Sequence, residues 1–130
     1  TLLTHMMLYG KEYVIVDMEA GIEHLGRATA RGVDAMLVVV EPGRRSIQTA
    51  ETIKRLAADI GVKNIAIVIN KVTDADADFC REMAGKYNVL GCLPFTEEVR
   101  TADLKSLAPY DTAPGYVAEV EKILDKLVQK

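Results

Sequence analysis

The chain has 130 residues, of which 49% are hydrophobic and 27% are charged, and its net charge at pH 7 is −3. This length corresponds to about one domain, and the composition is ordinary for a globular domain. Acidic and basic residues are mixed along the sequence, which argues against nucleic acid or an anionic membrane surface as the main partner. No apolar run approaches the roughly 20 residues that a membrane-spanning helix needs, so no membrane partner is predicted.

The two cysteines, Cys80 and Cys92, form neither a Cys-x-x-Cys pair nor a disulfide framework. Cysteines that are not arranged for disulfide bonds are typical of proteins in a reducing compartment. The first eight residues carry neither the basic region nor the small-residue cleavage site of a signal peptide. The sequence therefore predicts a cytoplasmic protein in which both cysteines serve mainly as packing residues.

The first half of the chain predicts two strands and one helix. Apolar runs rich in β-branched residues predict strands at 13–17 and 35–40. The apolar spacing over 46–60 is close to 3.6 residues and predicts a helix, with Ser46 as its N-cap and Gly61 just beyond its end. The two strands are continuous rather than alternating, which is typical of strands buried on both faces of a parallel sheet.

The second half repeats this alternation. A continuous apolar run predicts a strand at 64–69, and a shorter run predicts another at 88–92. Helices are predicted at about 76–87, 97–107 and 115–128. Strands that alternate with helices indicate βαβ units, so the predicted fold class is α/β, with a parallel sheet of about four strands and flanking helices. Ligands of such sheets bind at the carboxyl ends of the strands, where the polar residues of this sequence therefore matter most.

Asp17 ends the first predicted strand. A carboxylate at that position can hold a water of a nucleotide-bound Mg²⁺, as a Walker B acid does. Gly21 follows closely and allows the backbone to approach a γ-phosphate. The alternative is that Asp17 simply caps a helix beginning near Ile22.

Asn70 and Lys71 follow the third predicted strand. An asparagine side chain offers a donor and an acceptor, which suits the edge of a purine base. Pro94, after the fourth strand, would shape a loop around the same base. The alternative is that Asn70 and Pro94 only form the turns that follow strands.

Four segments carry a family resemblance. Residues 13–27 resemble the Walker B and switch II segment of CooC-type maturation ATPases, in the MinD/ParA group of P-loop proteins. Residues 18–21 depart from the threonine-proline-proline-glycine run of the wider group in the direction of the CooC type. Residues 32–46 are also similar to that family, and Asn70-Lys71 and 90–94 resemble the adenine-side motifs of the group.

The resemblance implies an ATP- and Mg²⁺-dependent accessory protein that inserts nickel into carbon monoxide dehydrogenase, its client, and that dimerises with ATP at the interface. Asp17 would hold the Mg²⁺ shell, and Gly21 would contact the γ-phosphate. Asn70 and Lys71, together with the loop at Pro94, would line the adenine pocket.

Two family features do not occur in these 130 residues: the Gly- and Lys-rich Walker A loop and the Cys-x-Cys metal motif. The resemblance therefore implies that residues 1–130 are the C-terminal part of a single P-loop NTPase domain, a partial fold without the Walker A strand. It also implies that the chain alone does not hydrolyse ATP, because nothing in it cradles the phosphates, and does not bind nickel tightly, because the Cys-x-Cys pair is absent.

Two other interpretations stay open. One is a different MinD/ParA-type ATPase, acting in positioning or in Fe–S assembly. The other is a non-catalytic α/β interaction module that has lost ATP chemistry. A membrane-anchored positioning ATPase is expected to end in a basic amphipathic helix, whereas the last predicted helix here has mixed charge.

Overall fold

The structure, a computed structural model, describes residues 12–18 and 32–129. Its strands and helices, in chain order, are β1 (Met36–Val40), α1 (Arg44–Ile60), β2 (Ile65–Val72), α2 (Ala77–Lys86), β3 (Val89–Pro94), α3 (Glu97–Leu104), α4 (Pro109–Thr112) and α5 (Pro114–Val128). A short 3-10 turn, Asp74–Asp76, leads into α2.

The sheet is parallel, with its strands in the order β1-β2-β3. The predicted α/β class with a parallel sheet is therefore confirmed, and the three strands correspond to the second, third and fourth predicted runs. The strand predicted at 13–17 is wrong: this segment has no regular structure, and Ile15 is 87% exposed. A strand persists only where a neighbour pairs with its N–H and C=O groups, and none of the described strands pairs with this segment.

Helices cover the two faces of the sheet unequally. On one face, α1 and α2 pack Ala50 and Met83 against Val38, Ile67 and Ile69. On the other face, α5 places Ile123 against a second cluster, which comprises Ala66, Val68, Leu90 and Leu93. Strand β2 is thus buried from both sides. Burying apolar side chains from both layers is the main source of stability in a fold of this kind.

Strand β1 is covered on one face only. Val38 and Val40 are buried, whereas Leu37 is 41% exposed and Val39 is 59% exposed. The prediction that the run 35–40 is buried on both faces is therefore wrong for the face that carries Leu37 and Val39. Helix α5 packs mainly against β3, which leaves that side of β1 open among the described residues.

The observed ends of α1 and α3 agree with the predicted helix ends in one case and differ from them in two. Helix α1 begins at Arg44, and the Ser46 N–H already donates to the Gly43 carbonyl, so the prediction of Ser46 as N-cap is wrong. Gly61 ends α1 as predicted, in the left-handed conformation (φ 92°). Helix α3 ends at Leu104, before the predicted residue 107, because Ser106 turns to φ 55°.

One irregularity of the sheet lies in β3. Opposite a single step along β2, strand β3 advances by two residues, from Val89 to Gly91, which leaves Leu90 as an extra residue. Leu90 packs against α5, and an added Cβ at Gly91 would lie 2.8 Å from Cγ1 of Ile123 in that helix. The Leu90 carbonyl accepts a hydrogen bond from Lys126 Nζ at 2.9 Å. The lysine thus provides a donor for the carbonyl of the bulge.

A second irregularity compensates for the first. Strand β2 advances by three residues from Ile69 to Val72, while β3 advances by two from Cys92 to Pro94. The extra residue of β2 therefore belongs to the pair Asn70-Lys71. Because each strand contributes one extra residue, the two strands advance equally between the first and the last of these pairs.

Candidate functional site

Most of the sequence-predicted site residues that the structure describes lie at one edge of the sheet. Glu41 directly follows β1, Asn70 and Lys71 lie near the end of β2, and Pro94 is the last residue of β3. The carboxyl ends of parallel strands meet at the same edge, which is where α/β sheets bind their ligands. The structure therefore brings Asn70, Lys71 and Pro94 together on neighbouring strands.

The bulge in β2 sends Asn70 and Lys71 in different directions. Lys71 has a left-handed backbone (φ 56°), unusual for a residue with a side chain, and Val72 after it packs on the face covered by α1 and α2. Lys71 itself stays exposed, and its Nζ lies 2.8 Å from Oε1 of Glu41. The hydrogen bond with Glu41 raises the pKa of Lys71, and the charge of Glu41 adds to this rise.

Asn70 faces the side covered by α5. Its Oδ1 accepts a hydrogen bond from the Tyr116 hydroxyl at 3.1 Å, in a half-buried setting. Tyr116 lies in the first turn of α5, a helix whose first residue is Pro114, a position that suits proline. Burial raises the pKa of Tyr116, so its hydroxyl is protonated at neutral pH and is able to donate. The carboxamide of Asn70 is thus held from one side and keeps its NH₂ group for another partner.

Pro94 ends β3 beside this bulge. The two strands are still joined there, because the Phe95 N–H donates to the Val72 carbonyl at 2.9 Å. Pro94 and Phe95 are both exposed, and Phe95 begins the connection to α3. An exposed proline and an aromatic ring therefore lie at the same edge of the sheet as the Asn70 carboxamide, and exposed rings of this kind are surfaces that a planar base can lie against.

The structure does not place the two residues predicted on the phosphate side, Asp17 and Gly21, at this sheet edge. Asp17 is exposed and lies in the irregular segment 12–18 rather than at the end of a strand. Gly21 lies outside the described residues. The predicted roles of these two residues with Mg²⁺ and the γ-phosphate therefore stay predictions.

Tyr116 was missed by the sequence analysis, although its position carries a recognisable pattern. It shares the inward stripe of α5 with Ile123 and Leu127, at helical spacing. A tyrosine on an inward stripe needs a polar partner for its hydroxyl, which is a reason to look for one. The partner itself is 46 residues away in sequence, so spacing alone does not identify it.

A concavity lies on the face of the sheet that α1 and α2 cover. A cleft of about 650 Å³ separates the start of α1 from the start of α2; its lining includes Pro42, Gly43, Arg44, Asp76, Asp78 and Glu82. The cleft is broad and open, and it carries charges of both signs.

Within the described residues, no group of three or more histidine, cysteine or acidic side chains is placed to hold a metal ion. No helix in the described part of the chain is long and apolar enough to cross a membrane.

The two cysteines lie on the face of the sheet that α1 and α2 cover. Cys80 of α2 packs against the core on that face, and Cys92 of β3 pairs in register with buried Ile69. Burial raises the pKa of the Cys92 thiol to about 11, and the neighbouring Cys80 thiol adds to this rise. A thiol with a raised pKa is a weak nucleophile at neutral pH. The packing role is confirmed for Cys80, whereas Cys92 is exposed and the packing role predicted for it is wrong.

Comparison with known proteins gives relatives along the whole chain. The chain is 40% identical to the carbon monoxide dehydrogenase accessory protein CooC of Rhodospirillum rubrum, over 100% of this chain and 50% of that protein. It is 39% identical to an uncharacterized ATP-binding protein of Methanocaldococcus jannaschii, over 98% of this chain and 51% of that protein. A second ATP-binding protein of that organism is 34% identical over 92% of this chain. The chain spans about half the length of these relatives, and no protein-family model matches it.

Proposed function

We propose that this chain, which belongs by homology along its whole length to the CooC-type ATP-binding proteins, supplies the base-binding part of an ATP-dependent accessory protein for nickel insertion into carbon monoxide dehydrogenase. Within that proposal, residues 1–130 are the C-terminal part of one P-loop NTPase domain. ATP with Mg²⁺ is its cofactor, nickel is its cargo and the dehydrogenase is its client. The working form is a cytoplasmic homodimer with ATP at the interface.

The observation that carries the proposal is the cluster of Asn70, Lys71 and Pro94 at the carboxyl edge of two paired strands. Adenine presents an amino donor beside a ring nitrogen that accepts, and a carboxamide presents the complementary acceptor and donor. The Asn70 side chain is already oriented by Tyr116, so less conformational freedom is lost when a base binds. Pro94 would flank the base, and Lys71 would lie outside the hydrogen-bonding edge, paired with Glu41.

The phosphate side of the proposal depends on two residues near the start of the chain. Asp17 would hold a water of the Mg²⁺ shell, since Mg²⁺ prefers carboxylate oxygen and keeps several waters. Gly21 would contact the γ-phosphate through its backbone. When bound, Mg²⁺ would neutralise charge on the phosphates, and the exposed carboxylate of Asp17 is available for that contact.

The adenine contact is tested by Asn70→Ala in the full-length protein, with ATP affinity measured by calorimetry in the presence of Mg²⁺. Loss of a paired donor and acceptor is expected to weaken ATP binding about ten-fold. Asn64→Ala is the matched control, because Asn64 is exposed and precedes the same strand at its opposite end. Equal ATP affinity of the Asn70 variant and the wild type would remove the adenine site from this edge.

The client is tested separately, in a host that makes carbon monoxide dehydrogenase. Deleting the gene for this protein is expected to lower the nickel content of the purified dehydrogenase, and the wild-type gene is expected to restore it. Asp17→Asn removes the proposed Mg²⁺ contact and is expected not to restore it. A dehydrogenase that keeps its full nickel content after the deletion would contradict the nickel role.

A second candidate shares the ATP chemistry and differs in the client. It is favoured by the 39% identity to an ATP-binding protein with no named client, close to the 40% identity to CooC. The two experiments separate these candidates. ATP binding through Asn70 with an unchanged nickel content would indicate a MinD/ParA-type ATPase with another task, whereas no ATP binding at all would indicate a non-catalytic module.

A further inference from the structure

We propose that Tyr116 is a positioning residue that makes the site selective for adenine over guanine by fixing the orientation of the Asn70 carboxamide. This inference rests on the proposed function, in which Asn70 contacts the base. Its physical basis is the hydrogen bond from the Tyr116 hydroxyl to Asn70 Oδ1, at 3.1 Å.

The tyrosine ring is anchored independently of any ligand. It packs against the cluster formed by α5 and the sheet, whose buried members include Val68, Leu93 and Ile123. Because α5 fixes the ring, the hydroxyl is presented at one point of the sheet edge, beside the β2 bulge. The orientation of Asn70 is therefore set by the packing of α5, a helix that begins at Pro114, 44 residues later in the chain.

The direction of the hydrogen bond decides which end of the carboxamide faces the hydroxyl. With Oδ1 toward Tyr116, the phenol donates, and one acceptor position of Oδ1 and both hydrogens of Nδ2 remain for the base. A carboxamide rotated by 180° would point its NH₂ group at the phenol oxygen, and the phenol hydrogen would lose Asn70 as its acceptor. An unsatisfied donor in a half-buried setting is costly, so the first orientation is preferred.

The two purines need opposite orientations of the carboxamide. On the Watson–Crick edge, adenine offers an amino donor to Oδ1 and the ring nitrogen N1 as an acceptor to Nδ2, whereas guanine has a carbonyl oxygen in place of the amino group and an N1–H donor in place of the bare nitrogen. With the carboxamide held by Tyr116, that carbonyl would face Oδ1, acceptor against acceptor. Removing the hydroxyl would let the carboxamide rotate and offer its NH₂ group to guanine.

The test is Tyr116→Phe in the full-length protein, with ATP and GTP competing against a fluorescent ATP analogue in the presence of Mg²⁺. Phenylalanine keeps the ring in its cluster and removes only the hydroxyl. The ratio of ATP affinity to GTP affinity is expected to fall about ten-fold, the effect of one hydrogen bond in discrimination. The matched control is Tyr87→Phe, which removes a hydroxyl that donates to Glu51 Oε1 at 3.0 Å and is expected to leave the ratio unchanged.

The outcomes separate the two proposals. If Asn70→Ala weakens ATP binding and Tyr116→Phe keeps the wild-type ratio, the positioning role is overturned and the adenine site stands. If Asn70→Ala has no effect on ATP binding, the adenine site itself is overturned, and this inference with it.

A measurement without nucleotide checks the hydrogen bond directly. In ¹⁵N-labelled protein, the side-chain NH₂ resonances of Asn70 are expected to move in Tyr116→Phe and to stay in place in Tyr87→Phe. Unchanged Asn70 resonances in both variants would overturn the proposed hydrogen bond. Thermal melting of each variant shows whether the fold is kept, and a folded Tyr116→Phe protein with an unchanged nucleotide ratio counts against the inference.

Discussion

Strands β1 and β2 are adjacent, parallel and almost wholly apolar, yet their surroundings differ. Val39 of β1 and Val68 of β2 are register partners, and the first is 59% exposed while the second is 3% exposed. The difference arises because α5 packs over β3 and β2 but does not extend over β1. An apolar run therefore shows that a strand can be buried on both of its faces. Which of these faces is buried among the described residues depends on the helices that pack beside the strand.

The largest expected effect comes from placing one hydroxyl on each of these two valines. Val68→Thr keeps the side-chain shape and buries a hydroxyl among apolar neighbours, which is expected to lower the free energy of unfolding by about 2 kcal/mol. Val39→Thr makes the same change at the exposed partner and is expected to stay within about 0.5 kcal/mol of the wild type. Chemical denaturation of both variants measures the difference.

The difference in burial between β1 and β2 is contradicted if the two variants lose the same free energy of unfolding. Equal destabilisation would mean that Val39 is covered as fully as Val68 in solution. Unchanged stability of Val68→Thr alone would mean that α5 does not seal the face of β2. Either result would also change the basis for anchoring Tyr116, which depends on the same helix.

A smaller effect is expected at Gly91, where β3 packs against Ile123 of α5. In Gly91→Ala the new Cβ would lie 2.8 Å from Cγ1 and 3.1 Å from Cδ1 of Ile123, so the helix or the strand must shift. Such overpacking costs about 1 to 3 kcal/mol, and the better strand propensity of alanine offsets part of it, so the expected net loss is about 1 kcal/mol. Thermal unfolding is the measurement.

Gly85 in α2 provides the control of opposite sign. A Cβ at Gly85 meets nothing within 4 Å, and the residue is the second-last of helix α2. Gly85→Ala is therefore expected to raise the stability by about 0.5 to 1 kcal/mol through helix propensity. If both glycine variants are stabilised, the packing of α5 on β3 is looser than the structure shows.

The smallest effect is expected from the ion pair between Lys71 and Glu41, which joins the ends of β2 and β1. Because the pair raises the pKa of Lys71 above its ordinary value of 10.5, its contribution to stability is present below pH 10.5 and is lost as the pH rises through the raised pKa. Exposed pairs contribute little, and salt screens them.

We therefore expect Glu41→Gln to lower the melting temperature slightly at pH 7 in low salt, and to match the wild type at high salt or well above pH 10.5. Comparing the variant with the wild type at each pH cancels the other lysines and tyrosines that titrate in the same range. A difference that persists at high pH would mean that Glu41 acts through something other than Lys71.

Local patterns sufficed to predict most of the fold. The order of the strands and helices predicted from 35 onward, the parallel sheet and the end of α1 at Gly61 are confirmed, whereas the short helix α4 was not predicted. The strand predicted at 13–17 failed because strand pairing depends on a neighbour, which a run of valines and isoleucines does not specify. The N-cap prediction at Ser46 failed because the first turn of α1 already forms after Gly43.

At the candidate site, the shared sheet edge of Asn70, Lys71 and Pro94 was predictable, and the roles of these residues stay predictions. Asn70 and Pro94 were predicted from their place after apolar runs, because the ends of parallel strands share an edge. Tyr116 was not predicted, since its contact with Asn70 depends on how α5 packs across the sheet. The left-handed turn at Lys71 was also missed, because a bulge depends on the register between two strands rather than on either strand alone.

The compensating bulges have a consequence for how this protein can change over time. Losing the extra residue of β2 alone would shift every later residue of that strand by one position and turn Val72 outward, and losing Leu90 alone would do the same to the end of β3. Losing both together would restore the alignment of the strands but remove the turn that separates Asn70 from Lys71. Single deletions at either place should therefore be selected against, and the two extra residues are expected to be inherited as a unit.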